Sequence, residues 1–179
     1  MSLIAVAAVL LFAQTEAPAP TYREADVARL ERCVYGGADV ARCGSFSEDV
    51  RVLEACTGRA DLAGGVEGFG EAWWTCDSAL PCHLEKPQPD QGTLVLRNCA
   101  ARDVAARKLI AARWLAQLEA RLTPEDRALL AQLEKRLLAG PEAPAAGDDP
   151  LQASAYWSVG WNSYLMFLRL AQITGKAGI

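Results

Sequence analysis

The chain has 179 residues, 51% of them hydrophobic and 22% charged, which is a globular composition and excludes a disordered one. Its net charge of -4 gives no bulk electrostatic reason to expect a nucleic-acid partner. The length favours one domain, or one domain plus appendages, and the excess of alanine, and of arginine over lysine, fits GC-rich bacterial coding.

The chain opens on an apolar run, MSLIAVAAVLLFA, followed at once by QTEAPAP. Residues 1–20 read as a signal peptide and leader. The run is shorter than the ~20 apolar residues of a membrane span, so no transmembrane span is expected in the mature chain. No Lys or Arg precedes it, and the small-residue cleavage site at Ala13 has Leu11 at the minus-three position. An uncleaved N-terminal anchor and a misplaced start are the alternatives.

Six cysteines, Cys33, Cys43, Cys56, Cys76, Cys82 and Cys99, all stand before residue 100. An even, clustered set behind a signal-like segment predicts disulfide bonds and a periplasmic or secreted location. No Cys-x-x-Cys spacing is present, which removes the usual zinc and thioredoxin patterns. Many pairings are open. We expect a local one, Cys33 with Cys43, Cys56 with Cys76, and Cys82 with Cys99. A Leu-x-x-Cys frame recurs at Leu30, Leu53 and Leu96, each followed by an aspartate (Asp39, Asp61, Asp103) and each with one other cysteine nearby.

A first helix is expected over Thr21–Tyr35, with Thr21 and Glu24 as a capping box, Val27, Leu30 and Val34 on one face, and Gly36-Gly37 as the stop. A second is expected from Ser47, as cap, to Cys56, with Glu48 and Asp49 at its positive end and Val50 and Leu53 inward. The glycines between Gly58 and Gly70 match neither a dinucleotide-binding nor a Walker pattern and read as a loop. Trp73 and Trp74 then serve either as a binding anchor or as core packed over a cystine. Pro81-Cys82-His83 lacks the second cysteine of a haem-attachment motif, and His83 is the only histidine. We therefore expect no metal site, no cofactor and no histidine-dependent triad.

From Thr93 a long helix places Val104, Ala111, Leu115, Leu118 and Leu122 along one line, with Arg102 and Arg113 opposite. Thr123-Pro124-Glu125-Asp126 starts another helix, presenting Leu129, Leu130, Leu133 and Leu137. So short a joint predicts an antiparallel helical hairpin, with a coiled-coil surface for a partner as the rival. Residues 139–150 have linker composition, and Asp149-Pro150 opens a last helix within residues 151–179. That helix carries Trp157, Trp161, Tyr164, Leu165 and Leu168 on one face and Tyr156, Phe167 and Leu170 on another. Two apolar faces imply deep burial, a partner surface (with Trp157 and Trp161 as anchors) or a membrane surface.

The expected fold is thus mainly α: a small disulfide-tied helical domain over residues 21–138, containing the hairpin, and a C-terminal aromatic-rich helix beyond the linker. Residues 82–138 resemble the periplasmic lysozyme-inhibitor LprI-like helical domains. The matching residues are Cys82, Thr93, Asn98-Cys99-Ala100, Leu109, Trp114 and Leu130-Ala131-Gln132. The resemblance implies a helical fold, a Cys82–Cys99 bond and inhibition of a cell-wall hydrolase. The chain departs from that family after Gln132, where Lys135 and Arg136 stand in place of a tryptophan and no further cysteine follows. The expected function is an exported, non-catalytic protein-binding module, with a structural or accessory subunit of an envelope assembly as the alternative. Acid pairs at Glu48-Asp49 and Asp148-Asp149 offer general acid–base chemistry in principle, but both fall at expected helix starts.

Overall fold

The computed structural model describes residues 21–57, 76, 79–84, 89–138 and 150–175, with the backbone alone for 84 and 150–159. The expected signal peptide, the glycine loop, Trp73, Trp74, Asp148, Asp149, most of the linker and the side chains of Tyr156 and Trp157 lie outside the described residues. Five α-helices follow one another: α1 (Glu24–Tyr35), α2 (Ser47–Thr57), α3 (Gly92–Leu118), α4 (Pro124–Leu137) and α5 (Pro150–Thr174). Short 3-10 turns occupy Val40–Arg42 and Pro81–Leu84. No strand occurs among the described residues.

Three cystines join Cys33 to Cys43, Cys56 to Cys76, and Cys82 to Cys99. This is the local scheme. Each ties a helix to a nearby segment, closing separations of 10, 20 and 17 residues. The three Leu-x-x-Cys frames are not equivalent units, however. Leu53 is buried whereas Leu96 is 43% exposed, and Asp39 caps a 3-10 turn through the Ala41 N–H while Asp103 is buried.

The 27-residue α3 is the axis of the molecule. It packs most extensively on α5 and next on α1 and α2, while α4 packs on α5. Because neighbours surround it, every residue from Val104 to Arg107 is buried, and so are Ala101 and Asp103. Alanine at 101, 105 and 106 lets those neighbours approach closely. The face opposite the apolar line is consequently partly covered by α2, although Arg113 stays exposed. Arg102 donates twice to Asp49 of α2 at 2.6 and 2.9 Å, and Arg113 donates to Glu54 at 2.6 Å.

The start of α1 departs from expectation. The helix begins at Glu24, with Arg23 at its cap and no side-chain cap bond. The reason lies in Gln91, whose amide accepts from the Tyr22 N–H at 2.9 Å and donates to the Tyr22 carbonyl at 3.0 Å. That pairing engages the Tyr22 carbonyl, which in a helix starting at Thr21 would accept from the Asp26 N–H; Asp26 bonds the Arg23 carbonyl instead. Glu24 turns instead to Arg97 of α3, 2.8 Å away, beside Glu31. Val27 and Val34 are buried, as expected, and α1 ends at Gly36, with Gly37 at φ +76°.

Helix α4 starts as its sequence predicts. The Thr123 hydroxyl accepts from the Asp126 N–H at 3.1 Å, the Asp126 carboxylate accepts from the Thr123 N–H at 3.2 Å, and Pro124 takes the first position. The chain turns back here, and α5 serves as the close partner of both α3 and α4. Trp161, Tyr164, Leu165, Leu168 and Ala171 of α5 are buried in the common core. Burial of a Leu such as Leu165 or Leu168 contributes about 1.5–3 kcal/mol. At Gly160, α5 crosses the end of α4 so closely that an added Cβ would collide with the Leu137 carbonyl oxygen.

Candidate binding groove

Between the end of α3 and the body of α4 lies an open groove of about 380 Å³. Its position follows from the packing: α5 packs on both helices, while α3 and α4 make little direct contact with each other. Tyr164 of α5 lines it together with the buried Leu122 and Leu130. Its walls are small, with Ala112 and Ala116 one turn apart on α3 and Ala131 on α4, all exposed, beside the half-buried Leu115. Glu119, Glu134 and Arg127 supply the polar rim. The volume falls in the range of preformed ligand sites.

The electrostatics are specific. The Tyr164 residue is only 2% exposed, and its hydroxyl makes no hydrogen bond to a described residue. Burial, and secondarily the nearby Glu134 charge, push its pKa up to about 12, so it is a neutral phenol at physiological pH. Neither the Glu119 nor the Glu134 carboxylate has a cationic partner among the described residues, although most of the other described carboxylates do. Examples are Glu24 and Glu31 with Arg97, Asp49 with Arg102, and Asp103 with Arg107. The Arg127 guanidinium is held back by donating to the Glu119 backbone carbonyl at 3.3 Å.

The sequence-nominated anchors fall elsewhere. Trp161 is 6% exposed and packs edge-on against Tyr164, with ring centroids 6.0 Å apart and an interplanar angle of 77°. Lys108 stands 6.0 Å from the Trp161 ring centroid and donates to the Val34 carbonyl at 2.5 Å, so it also serves the C-terminal end of α1. Burial lowers the Lys108 pKa. Trp161 is therefore a core residue. Of the acid pair at the start of α2, Glu48 is paired with Arg51 on the surface and Asp49 is buried against Arg102. His83 is exposed on its 3-10 turn. Among the described residues no cluster of His, Cys, Asp or Glu is arranged to hold a metal ion.

Sequence reasoning missed two features. One is the groove, whose signal was the pair of alanines four residues apart facing a third across the joint. The other is a buried polar triad. Arg107 donates to both Asp103 oxygens at 2.7 and 3.0 Å and to the Asn162 side-chain oxygen of α5. The triad joins the two longest helices, which makes it a structural pin. Comparison with known proteins finds no matching family model, no matching curated protein and no matching solved structure.

Proposed function

We propose that the protein is an exported, non-catalytic helical module that docks on another protein through the α3–α4 groove. A lysozyme-like cell-wall hydrolase is the candidate partner, and the protein is its inhibitor. The observation that carries the docking reading is the groove itself: an apolar recess whose rim carries two carboxylates without cationic partners among the described residues, on a cystine-tied scaffold. Three cystines fit an oxidising compartment. The choice of a hydrolase rests on the resemblance of residues 82–138 to LprI-like domains. No helix among the described residues is long and apolar enough to cross a membrane.

The alternative, an accessory subunit of an envelope assembly, rests on the aromatic last helix as a free surface. Trp161, Tyr164, Leu165 and Leu168 are buried in the protein's own core, which takes that motivation away. The experiment is to mix the purified protein with a panel of lysozymes of different classes. We expect a stable complex and loss of lytic activity with at least one of them. Neither complex nor inhibition with any would remove the inhibitor reading.

A further inference from the structure

We infer that the groove receives a lysine or arginine side chain of the partner, whose apolar stem lies along the alanine and leucine walls while its cationic head reaches the Glu134 carboxylate and the Tyr164 hydroxyl. The inference rests on the protein-docking reading of the same groove and names the chemistry of what enters it.

Three observations converge on it. First, the walls at Ala112, Ala116 and Ala131 are low and apolar, suited to a methylene stem, and 380 Å³ leaves room for an apolar neighbour on the partner. Second, the rim holds two carboxylates without cations, Glu119 and Glu134, against one guanidinium, Arg127, which is engaged with a backbone carbonyl. The exposed Asp90 and Glu125 share that lack of a cation, but Glu119 and Glu134 are the two that line the groove, placed to meet a cation that arrives from outside. Third, the Tyr164 residue is buried and lines the groove, while its hydroxyl, unpartnered among the described residues, keeps some exposure there. An ammonium or guanidinium N–H donating to that oxygen would make a charge-assisted hydrogen bond. The raised pKa keeps the hydroxyl neutral, so it lacks the negative charge of a phenolate but retains an acceptor lone pair. An anionic occupant would face both carboxylates without compensation.

The test uses n-hexylammonium as a probe of the stem-and-cation chemistry, with n-hexanol and hexanoate as equal-length controls, followed by amide NMR shifts on the intact protein. We expect shifts centred on Ala112, Ala116, Ala131 and Tyr164. Hexylammonium should bind at least about threefold more tightly than either control, the size expected of one partly exposed ion pair. Glu134→Gln should remove that preference, and Ala131→Leu, at an exposed helical position where leucine folds well, should abolish binding of all three probes. Equal binding of hexanoate, shifts centred elsewhere, or an unaltered Glu134→Gln variant would overturn the inference. The same two variants enter the lysozyme panel. A complex untouched by both overturns the cation site and leaves docking standing elsewhere on the surface. Hexylammonium in the groove with no lysozyme complex leaves the cation site and removes the inhibitor reading.

Discussion

Toward α1 and α2, helix α3 is fastened by charged pairs, and the Cys82–Cys99 cystine ties it to the Pro81–Leu84 turn, whereas toward α5 it packs through apolar side chains around one polar pin and leaves a groove beside α4. Among the described residues, every salt bridge between helices joins α3 to α1 or α2: Arg97 with Glu24 and Glu31, Arg102 with Asp49, and Arg113 with Glu54. The difference follows from what each side has to bury. Helices α1 and α2 have 12 and 11 residues with few large apolar groups, too short and polar to dock by burial alone. Helix α5 has 25 residues and brings Trp161, Tyr164, Leu165 and Leu168. The crosslinked side has most of its carboxylates matched by arginines, and its own recess, beside the Cys33–Cys43 cystine, is lined by charged and polar groups. The α3–α4 groove is the more apolar of the two and carries Glu119 and Glu134 without cationic partners among the described residues.

The largest way to break this division is at the pin between α3 and α5. Arg107→Ala leaves the buried Asp103 carboxylate without its cation and should cost about 3–5 kcal/mol, read as a fall in the denaturation midpoint. Replacing Arg107 and Asp103 together by Met and Leu should recover much of that loss. The crosslinks come next. Cys82→Ser with Cys99→Ser should cost about 2–5 kcal/mol. Reduction of all three cystines should raise amide exchange in α1 and α2 well before α3 and α5; uniform loss of protection would contradict the division.

Gly160→Ala should lower the melting temperature. The collision with the Leu137 carbonyl carries an overpacking cost of about 1–3 kcal/mol, more than the ~1 kcal/mol gained in helix propensity. Thr123→Ala removes one half of the reciprocal cap on α4 and should cost about 1 kcal/mol, with fraying confined to that helix.

The smallest effect is the pH dependence of Tyr164. Its folded pKa of about 12 lies above the unfolded value of about 10. Its contribution is therefore fully present below about pH 10 and is lost as pH rises through about 12. A tyrosinate absorbance titration should show a late step that Tyr164→Phe removes.

Much of the helical plan is legible in the sequence, because caps and stops act locally. Thr123-Pro124 and Gly36-Gly37 need no distant partner to do their work, and short cystine loops favour near neighbours. Thr21 misleads for the opposite reason: Gln91, 69 residues from Tyr22, competes for the same backbone. Arg102 and Arg113 mark a polar face of α3, but only the placement of α2 shows that this face is partly covered. Asp103, Arg107 and Asn162 are ordinary polar residues until two helices bring them together. The groove is a gap between elements, and a gap leaves only the faint trace of alanines four residues apart.

In the proposed function the α3–α4 side is the working surface and the cystine-tied side its support. Hydrogen–deuterium exchange of the intact protein, alone and with the lysozyme panel, tests it most directly. The account predicts protection gained within residues 112–134 and around Tyr164, with residues 24–57 unchanged. Protection appearing on residues 24–57, or nowhere, would contradict it.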